Sequence, residues 1–250
     1  MKRPLFAMLA AWVFLTRIPL PATHLGERDF EAAPGFYPLI GVLIGVIGAA
    51  AFALGWAIGG ALIAAIFGTA ATVLATGAFH EDGLADLFDG LGATTPARMM
   101  EIMRDSRLGT FGAAALFIVL LLKIAALAQL PFMVALVALP LAHGASRLSA
   151  VIVIATSRYA RAEGIAKPVA KGIGAAPLVV AMLTGIAAVA VGTITLGPGA
   201  ALCSVAGLAI GHATARLLFE RKLGGYTGDC LGAVQQISEV GFYLGLIAWL

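Results

Sequence analysis

The chain has 250 residues, of which 61% are hydrophobic and 12% charged, and its mean hydropathy is +1.00. Because soluble domains carry about a quarter charged residues, this composition excludes a water-soluble globular protein and indicates an integral membrane protein. The formal net charge of +3 does not imply a nucleic-acid partner, since membrane topology explains where the basic residues lie.

The N-terminal segment looks like a secretory leader but lacks the required length. Lys2-Arg3 precedes an apolar run from Leu5 to Leu15. These eleven residues are too few to span a bilayer, and Arg17-Ile-Pro-Leu-Pro21 is a poor cleavage site. The pattern therefore predicts a retained helix that is interfacial or partly inserted in the membrane.

Runs with few or no charged residues then predict about seven membrane spans. Neighbouring runs are separated by Gly59-Gly60, by Pro131 and by Gly197-Pro-Gly199. The predicted spans are residues 36–57, 60–79, 111–130, 132–155, 175–196, 200–219 and 231–250. The fold class is thus all-α, a polytopic transmembrane helix bundle with a single integral membrane domain over residues 1–250. Glycine pairs such as Gly207/Gly211 and Gly241/Gly245 suit close helix contact.

Seven spans place four segments on one side of the membrane. These are the N-terminus and the predicted active-site loops 80–110, 156–174 and 220–230. Thirteen of the 16 Lys and Arg residues lie on that side. The positive-inside rule makes this side cytoplasmic, so the charged loops are predicted to meet at one cytoplasmic surface.

The loop 80–110 holds six of the 13 acidic residues. On a helix, Asp82, Asp86 and Asp89 are spaced i, i+4 and i+7 and share one face. Crowded carboxylates are hard to keep ionised without a positive partner, and hard oxygen ligands suit Mg²⁺ or Mn²⁺. The sequence favours a metal site at a membrane surface, and a solvated acidic loop is the alternative.

Two further motifs could bind phosphate. Arg104 and Arg107 flank Asp105 and Ser106 and could hold phosphate oxygens bidentately, or could form an ordinary positive-inside cluster. Glycines in 224–229 could free backbone N–H groups for a phosphate while Asp229 completes a metal shell, or could simply form a tight turn.

Charged residues inside the spans usually face the interior of a bundle. Arg147 and Arg216 lie in the cytoplasmic halves of their spans, where they could reach an anionic substrate or snorkel to the interface. Glu239, with Gln235 one turn before it, could pair with one of these arginines. His80 borders the acidic motif and could support it from outside the metal shell.

Three segments combine acidic, basic and glycine residues in a specific order. They are His80-x-Asp82-Gly-Leu-Ala-Asp86-x2-Asp89-Gly, Met103-Arg-Asp-Ser-Arg-Leu-Gly109 and Gly224-Gly-x-Thr-Gly-Asp-x-Leu-Gly232. Thr16-Arg-Ile-Pro19, Phe36-Tyr-Pro-Leu-Ile-Gly41, Ser146-Arg147 and Tyr159-Ala-Arg161 extend the pattern nearly end to end. Together they resemble the cobalamin synthase family, the membrane adenosylcobinamide-GDP ribazoletransferases of late vitamin B12 synthesis.

The resemblance implies an Mg²⁺-dependent transferase in a bacterial inner membrane. Its substrates would be adenosylcobinamide-GDP and α-ribazole or α-ribazole 5′-phosphate, and its products adenosylcobalamin or its 5′-phosphate and GMP. The candidate catalytic residues are Asp82, Asp86, Asp89 and Asp105. The candidate metal ligands are Asp82, Asp86, Asp89 and Asp229. The candidate substrate-binding residues are His80, Arg104, Arg107, Arg147, Arg161, Thr227 and Gly228.

Two other classes place carboxylates in or at a membrane. CDP-alcohol phosphotransferases have Ala-Arg after Asp-Gly-x-x, where this chain has Asp86-Leu87. A cation transporter needs several intramembrane acids, and here only Glu239 lies deep in a span. Both are therefore disfavoured. The sequence does not decide between a monomer and a homo-oligomer.

Overall fold

The structure is a computed structural model that describes residues 3–20, 24–160 and 172–250. Those ranges are helical apart from turns and one isolated bridge between Tyr159 and Tyr226, which confirms the predicted all-α class. The helices are α1 Arg3–Leu15, α2 Glu27–Ala32, α3 Tyr37–Thr76, α4 Phe79–Leu91, α5 Pro96–Ile102, α6 Thr110–Gln129, α7 Phe132–Thr156, α8 Ala175–Leu196, α9 Pro198–Leu223 and α10 Gly228–Trp249, with a 3₁₀ turn at Ala33–Phe36.

Six continuous helical stretches in the described ranges are long and apolar enough to cross a membrane. One of them contains α3, which bends back on itself at the predicted break: Gly59 has φ −154° and Gly60 has φ +74°. The half before the bend contacts the half after it. A β-carbon on Gly55 would lie 2.8 Å from Ala64 Cα, and one on Gly48 would lie 2.6 Å from Thr72 Cγ2. The two halves of α3 are thus antiparallel, and counting each half gives the seven predicted passes.

The boundaries differ from the prediction near the charged segments. Two helices, α4 and α5, occupy most of the predicted loop 80–110. Helix α9 continues to Leu223 and α10 already begins at Gly228, so the predicted loop 220–230 is reduced to a short turn. Charge marks where a span leaves the bilayer, but the helix itself continues as long as its backbone hydrogen bonds do.

Glycines set the closest helix contacts. A β-carbon on Gly211 would lie 2.6 Å from the Ile237 carbonyl oxygen, and one on Gly45 would lie 2.5 Å from Pro140 Cα. Without a hydrophobic driving force between helices in lipid, small residues allow the close van der Waals packing that holds α9 on α10 and α3 on α7.

Helix α1 packs into the bundle rather than standing apart from it. Ala10 and Ala11 are fully buried in the main core. Trp12 Nε1 donates to the Ile18 carbonyl at 3.0 Å, and the Arg17 amide donates to the Ala75 carbonyl at 2.8 Å. The segment after α1 is thereby held at the end of α3.

The charged segments meet at this same end of the bundle, as the predicted topology requires. Lys222 Nζ donates to the Leu91 and Ala93 carbonyls, which joins the end of α9 to the end of α4. The Tyr226 amide donates to the Arg158 carbonyl at 2.8 Å. Arg161 and the following residues of the predicted loop 156–174, up to residue 171, lie outside the described residues.

Candidate active site

The acidic helix α4 and the start of α10 approach each other closely. A β-carbon on Gly83 would lie 2.9 Å from Asp229 Cα and 2.8 Å from its carbonyl oxygen. One on Gly232 would lie 2.8 Å from the His80 carbonyl oxygen. These two glycines therefore let the backbones meet, and they bring the Asp82 and Asp229 segments together although they are far apart in the sequence.

Thr227 begins α10 and orients Asp229. Its hydroxyl accepts from the Cys230 amide at 3.4 Å and donates to Asp229 Oδ2 at 3.3 Å. Thr227 is the N-cap of this helix, and an acidic side chain in the first turn is favoured by the helix dipole.

A cavity of about 170 Å³ opens between these segments. Its polar lining comes from His80, Asp82, Arg147 and Asp229. The remaining wall is mostly apolar and consists of Phe14, Leu15, Tyr37, Phe79, Gly83, Ala150, Ile154, Tyr159, Gly228, Leu231 and Gly232. Five of the sequence-predicted site residues therefore line one space, namely His80, Asp82, Arg147, Gly228 and Asp229.

Gly83→Ala is expected to abolish most activity, because its β-carbon would meet backbone atoms of Asp229 that cannot move aside as a flexible side chain could. The helices α4 and α10 would have to separate, which displaces Asp229 from Asp82. Gly92→Ala is the matched control on the same segment, since its nearest neighbour would be the Asp89 carbonyl at 3.9 Å. Turnover of the two purified variants checks this, and equal activities would contradict it.

Asp89 has a different environment from the one predicted. Its Oδ2 accepts from the Gly109 amide at 2.7 Å, and its Oδ1 accepts from the Gly112 amide at 2.8 Å. The carboxylate thus caps the N-terminus of α6, where unpaired amides and the helix dipole favour a negative group. Spacing placed Asp89 on the same face as Asp82, but it could not show that this part of the face meets α6.

The predicted four-carboxylate metal cluster is not assembled in the structure. Across the described residues, no three His, Cys, Asp or Glu side chains form a group that could hold a metal ion. The physical reason is the capping role of Asp89, together with the distribution of the remaining acids over two helices. Asp82 and Asp229 line the cavity, whereas Asp86 and Asp89 do not.

Asp89→Ala separates the capping role from the metal role. We expect loss of the cap to lower the free energy of unfolding by about 0.5–2 kcal/mol. Turnover of the folded fraction should fall far less than it does when an aspartate that lines the cavity is substituted. Denaturation and turnover of the same preparation measure both quantities, and complete loss of turnover at unchanged stability would restore Asp89 as a metal ligand.

Asp105 and Arg107 bind each other at the surface. Arg107 Nε donates to both Asp105 carboxylate oxygens, at 3.0 and 3.1 Å. These hydrogen bonds lower the pKa of Asp105 to about 2, so its carboxylate is a weak proton acceptor at neutral pH. Neither Arg107 nor the exposed Arg104 lines the cavity. Their roles in substrate binding, and the catalytic role of Asp105, stay predictions.

A buried polar network beneath the cavity was largely missed by sequence reasoning. Lys123 Nζ on α6 lies 3.1 Å from Glu239 Oε1 and donates to Gln236 Oε1 at 2.8 Å on α10. Gln236 Nε2 in turn donates to Glu81 Oε1 on α4 at 2.9 Å. Glu239 therefore pairs with a lysine rather than with an arginine, and Glu81 faces the bundle instead of the acidic surface. The charge of Lys123 inside a span was the available signal.

The same network reaches α7 at Ser146 and approaches His143 on the same helix. His143 Nε2 lies 3.3 Å from Glu239 Oε1 without a hydrogen bond between them in the described part of the chain. Gln235 Nε2 donates to Glu239 Oε2 at 2.6 Å and to Ser146 Oγ at 3.0 Å. Four helices are thereby connected through polar groups buried at membrane depth, which fixes their relative positions.

Arg147 connects this network to the cavity. Its side chain is buried, and Nη1 donates to the His143 carbonyl at 3.0 Å. Its Nε makes no hydrogen bond within the described part of the chain. Arg147 is thus a buried positive group on the cavity wall with donor capacity left over for a ligand. Arg216, by contrast, pairs with Glu220 at 2.9 Å and with Thr156, and it does not line the cavity.

His80 contributes a neutral imidazole to the cavity wall. Burial lowers the pKa of His80 well below its usual range, and the nearby positive charge of Arg147 lowers it further. The ring also packs edge to face on Phe79, with centroids 5.4 Å apart. A neutral imidazole can donate one hydrogen bond and accept another.

Comparison with known proteins shows the family of the chain. A family model described as cobalamin-5-phosphate synthase matches residues 7–247. Proteins named adenosylcobinamide-GDP ribazoletransferase are 42% identical in Ralstonia pickettii, over 98% of this chain and 96% of that protein, and 43% identical in Ralstonia nicotianae, over 97% and 96%. The protein of that name from Shewanella amazonensis is 40% identical over 98% and 96%. No solved structure matches significantly. The chain belongs to the cobalamin-5-phosphate synthase family.

Proposed function

We propose that this protein joins adenosylcobinamide-GDP to α-ribazole or its 5′-phosphate, giving adenosylcobalamin or its 5′-phosphate and GMP. The observation that carries the proposal is the family match over residues 7–247, with relatives at about 40% identity whose names state this transfer. The cavity supports it, because acidic and basic groups converge there from α4, α7 and α10 at one end of a membrane bundle.

The reaction exchanges one phosphorus–oxygen bond for another. A ribose hydroxyl oxygen that is free in both α-ribazole and its 5′-phosphate attacks the phosphorus that is bonded to the cobinamide alcohol oxygen, because the 5′-phosphate is retained in the product. The bond from that phosphorus to the bridging oxygen breaks, and GMP leaves with this oxygen. The proton of the hydroxyl passes to a carboxylate of the site, and the position of Asp82 and Asp229 in the cavity lining supports this role for one of them.

The donor set of the cavity fits Mg²⁺. Asp82 and Asp229 offer hard carboxylate oxygens from two helices that are held in contact by Gly83. Mg²⁺ is commonly bound by one or two carboxylates together with substrate phosphates, so a preformed group of three is not required. We propose that these two residues hold it. When bound, Mg²⁺ would neutralise charge that develops on the phosphate oxygens.

The remaining polar groups act on the pyrophosphate. Arg147 supplies a buried positive charge, which stabilises the additional negative charge of the transition state more strongly than an exposed charge would. Gly228 lies at the N-terminus of the long helix α10 and lines the cavity, so the helix dipole favours an anion at this point. His80, held neutral, is suited to a hydrogen bond rather than to a full charge.

We place the protein in a bacterial inner membrane with this cavity facing the cytoplasm. The support is the distribution of Lys and Arg, which are concentrated in the segments at the end of the bundle that carries α4. Phosphorylated nucleotide substrates are also cytoplasmic compounds that would not cross the bilayer unaided.

Turnover of purified protein tests the proposal. The protein in detergent is incubated with adenosylcobinamide-GDP and α-ribazole, and GMP and adenosylcobalamin are quantified by chromatography. We expect equal amounts of the two products with Mg²⁺ and none after chelation. GMP release without consumption of α-ribazole would indicate a hydrolase, and absence of both products with Mg²⁺ present would contradict the assignment.

A further inference from the structure

The cavity has an apolar half that the phosphate chemistry does not explain. Phe14, Tyr37, Phe79 and Tyr159 line it from four separate segments of the chain. Phe14 stacks parallel to Tyr37 with ring centroids 5.7 Å apart, and Phe79 meets Phe14 edge to face at 5.3 Å. The aromatic wall is thus built from defined ring contacts rather than from loosely placed side chains.

The size of the space restricts which part of a substrate can enter it. A buried cavity of about 150 Å³ is known to accept a benzene ring, so about 170 Å³ gives room for one flat aromatic group, while the sugar and the phosphates stay at the open side where Asp82 is exposed. A corrin ring is far too large. Ribose and pyrophosphate are polar and match the side of the cavity that carries Asp82, Arg147 and Asp229.

Two flat groups remain, the base of α-ribazole and the guanine of the GDP moiety. Guanine carries several N–H and C=O groups, and burying them against an apolar wall without partners costs about 1–3 kcal/mol for each group. The benzimidazole base of α-ribazole has one acceptor nitrogen and is otherwise apolar. His80, Arg147 and the hydroxyls of Tyr37 and Tyr159 are side-chain donors on the cavity wall for that single nitrogen.

We propose that the pocket formed by Phe14, Tyr37, Phe79 and Tyr159 binds the fused-ring base of α-ribazole and determines which base is accepted. This inference rests on the proposed function. It places the attached ribose toward Asp82 and Asp229, so the reacting ribose hydroxyl meets the phosphorus on the polar side of the same cavity. Phe14, on the N-terminal helix, is thereby a specificity residue.

The test compares Phe14→Ala, and the milder Phe14→Leu, with Phe117→Ala. Phe117 is the matched control because it is 68% exposed on α6 and lies outside the cavity. We expect Phe14→Ala to raise the KM for α-ribazole at least about tenfold, which corresponds to ~1.4 kcal/mol. The KM for adenosylcobinamide-GDP should stay within about twofold, since aromatic contact is lost for the base alone. Phe14→Leu should show a smaller change in the same direction.

Direct binding separates the inference from the proposed function. Calorimetric titration of wild type and variants with α-ribazole, and separately with GMP, needs no turnover. Weakened α-ribazole binding with unchanged GMP binding supports the inference. Weakened GMP binding alone would assign the pocket to guanine, and unchanged binding of both ligands in a folded Phe14→Leu protein would also overturn it. Failure of the wild-type protein to bind α-ribazole or form product would instead overturn the proposed function.

Discussion

Asp82→Asn should reduce turnover by about 10³-fold or more while the protein stays folded. Asp82 is exposed, lines the cavity and lies next to Gly83, which contacts the backbone of Asp229. The substitution keeps the shape of the side chain and removes the negative oxygen. Stabilisation of transition-state charge at a metal site amounts to several kcal/mol, and each 1.36 kcal/mol corresponds to a factor of ten.

Steady-state turnover of purified variants measures this effect, with thermal denaturation in detergent to confirm folding. Asp29→Asn is the matched control, because Asp29 lies in the short helix α2. Within the described residues, its carboxylate accepts a hydrogen bond from the Gly26 amide alone. This variant should keep wild-type turnover. Near-normal turnover of Asp82→Asn with an unchanged Mg²⁺ requirement would remove Asp82 from the catalytic site.

Lys123→Met should destabilise the protein by about 3–5 kcal/mol. Lys123 and Glu239 are both buried, with side-chain exposures of 2% and 0%, and their charged atoms are 3.1 Å apart. Removing one member of a buried ion pair leaves the other charge without its partner in a medium of low dielectric constant. Methionine is close in volume, so the loss comes from charge rather than from a cavity.

Two further variants show whether charge is the cause. The double variant Lys123→Met with Glu239→Gln removes both charges and should recover a large part of the lost stability. Arg98→Met breaks the exposed ion pair with Glu101 and should change stability by less than about 1 kcal/mol. Denaturation in mixed micelles measures all three, and a double variant less stable than Lys123→Met would contradict the account.

Composition and spacing predicted the fold well because the bilayer imposes simple constraints. A span needs about 20 apolar residues, and a chain that must reverse direction shows this as a glycine or proline break. Gly59-Gly60 illustrates the point: Gly60 has a positive φ, which glycine adopts without strain, and the two halves of α3 fold together there. The break could therefore be read from two residues alone.

The interior of the site could not be predicted in the same way. Glu81 and Gln236, or Lys123 and Glu239, are far apart in the sequence, and nothing local indicates which buried polar groups will pair. Asp89 shows a related limit, since helical spacing defines a shared face but not the element that packs on it. The meeting of the Asp82 and Asp229 segments was predictable only because topology sent both to one end of the bundle.

We propose that Asp82 and Asp229 hold one metal ion for the transfer. Binding of Mn²⁺ in place of Mg²⁺, followed by electron paramagnetic resonance in the presence of adenosylcobinamide-GDP, tests it most directly. Each single change, Asp82→Asn or Asp229→Asn, should weaken Mn²⁺ binding at least about tenfold, and the double variant should lose less than the sum, because both residues act on one site. Asp29→Asn should bind Mn²⁺ as wild type does. Unchanged Mn²⁺ affinity in Asp229→Asn, with weakened affinity in Asp82→Asn, would show that the two carboxylates do not share a metal.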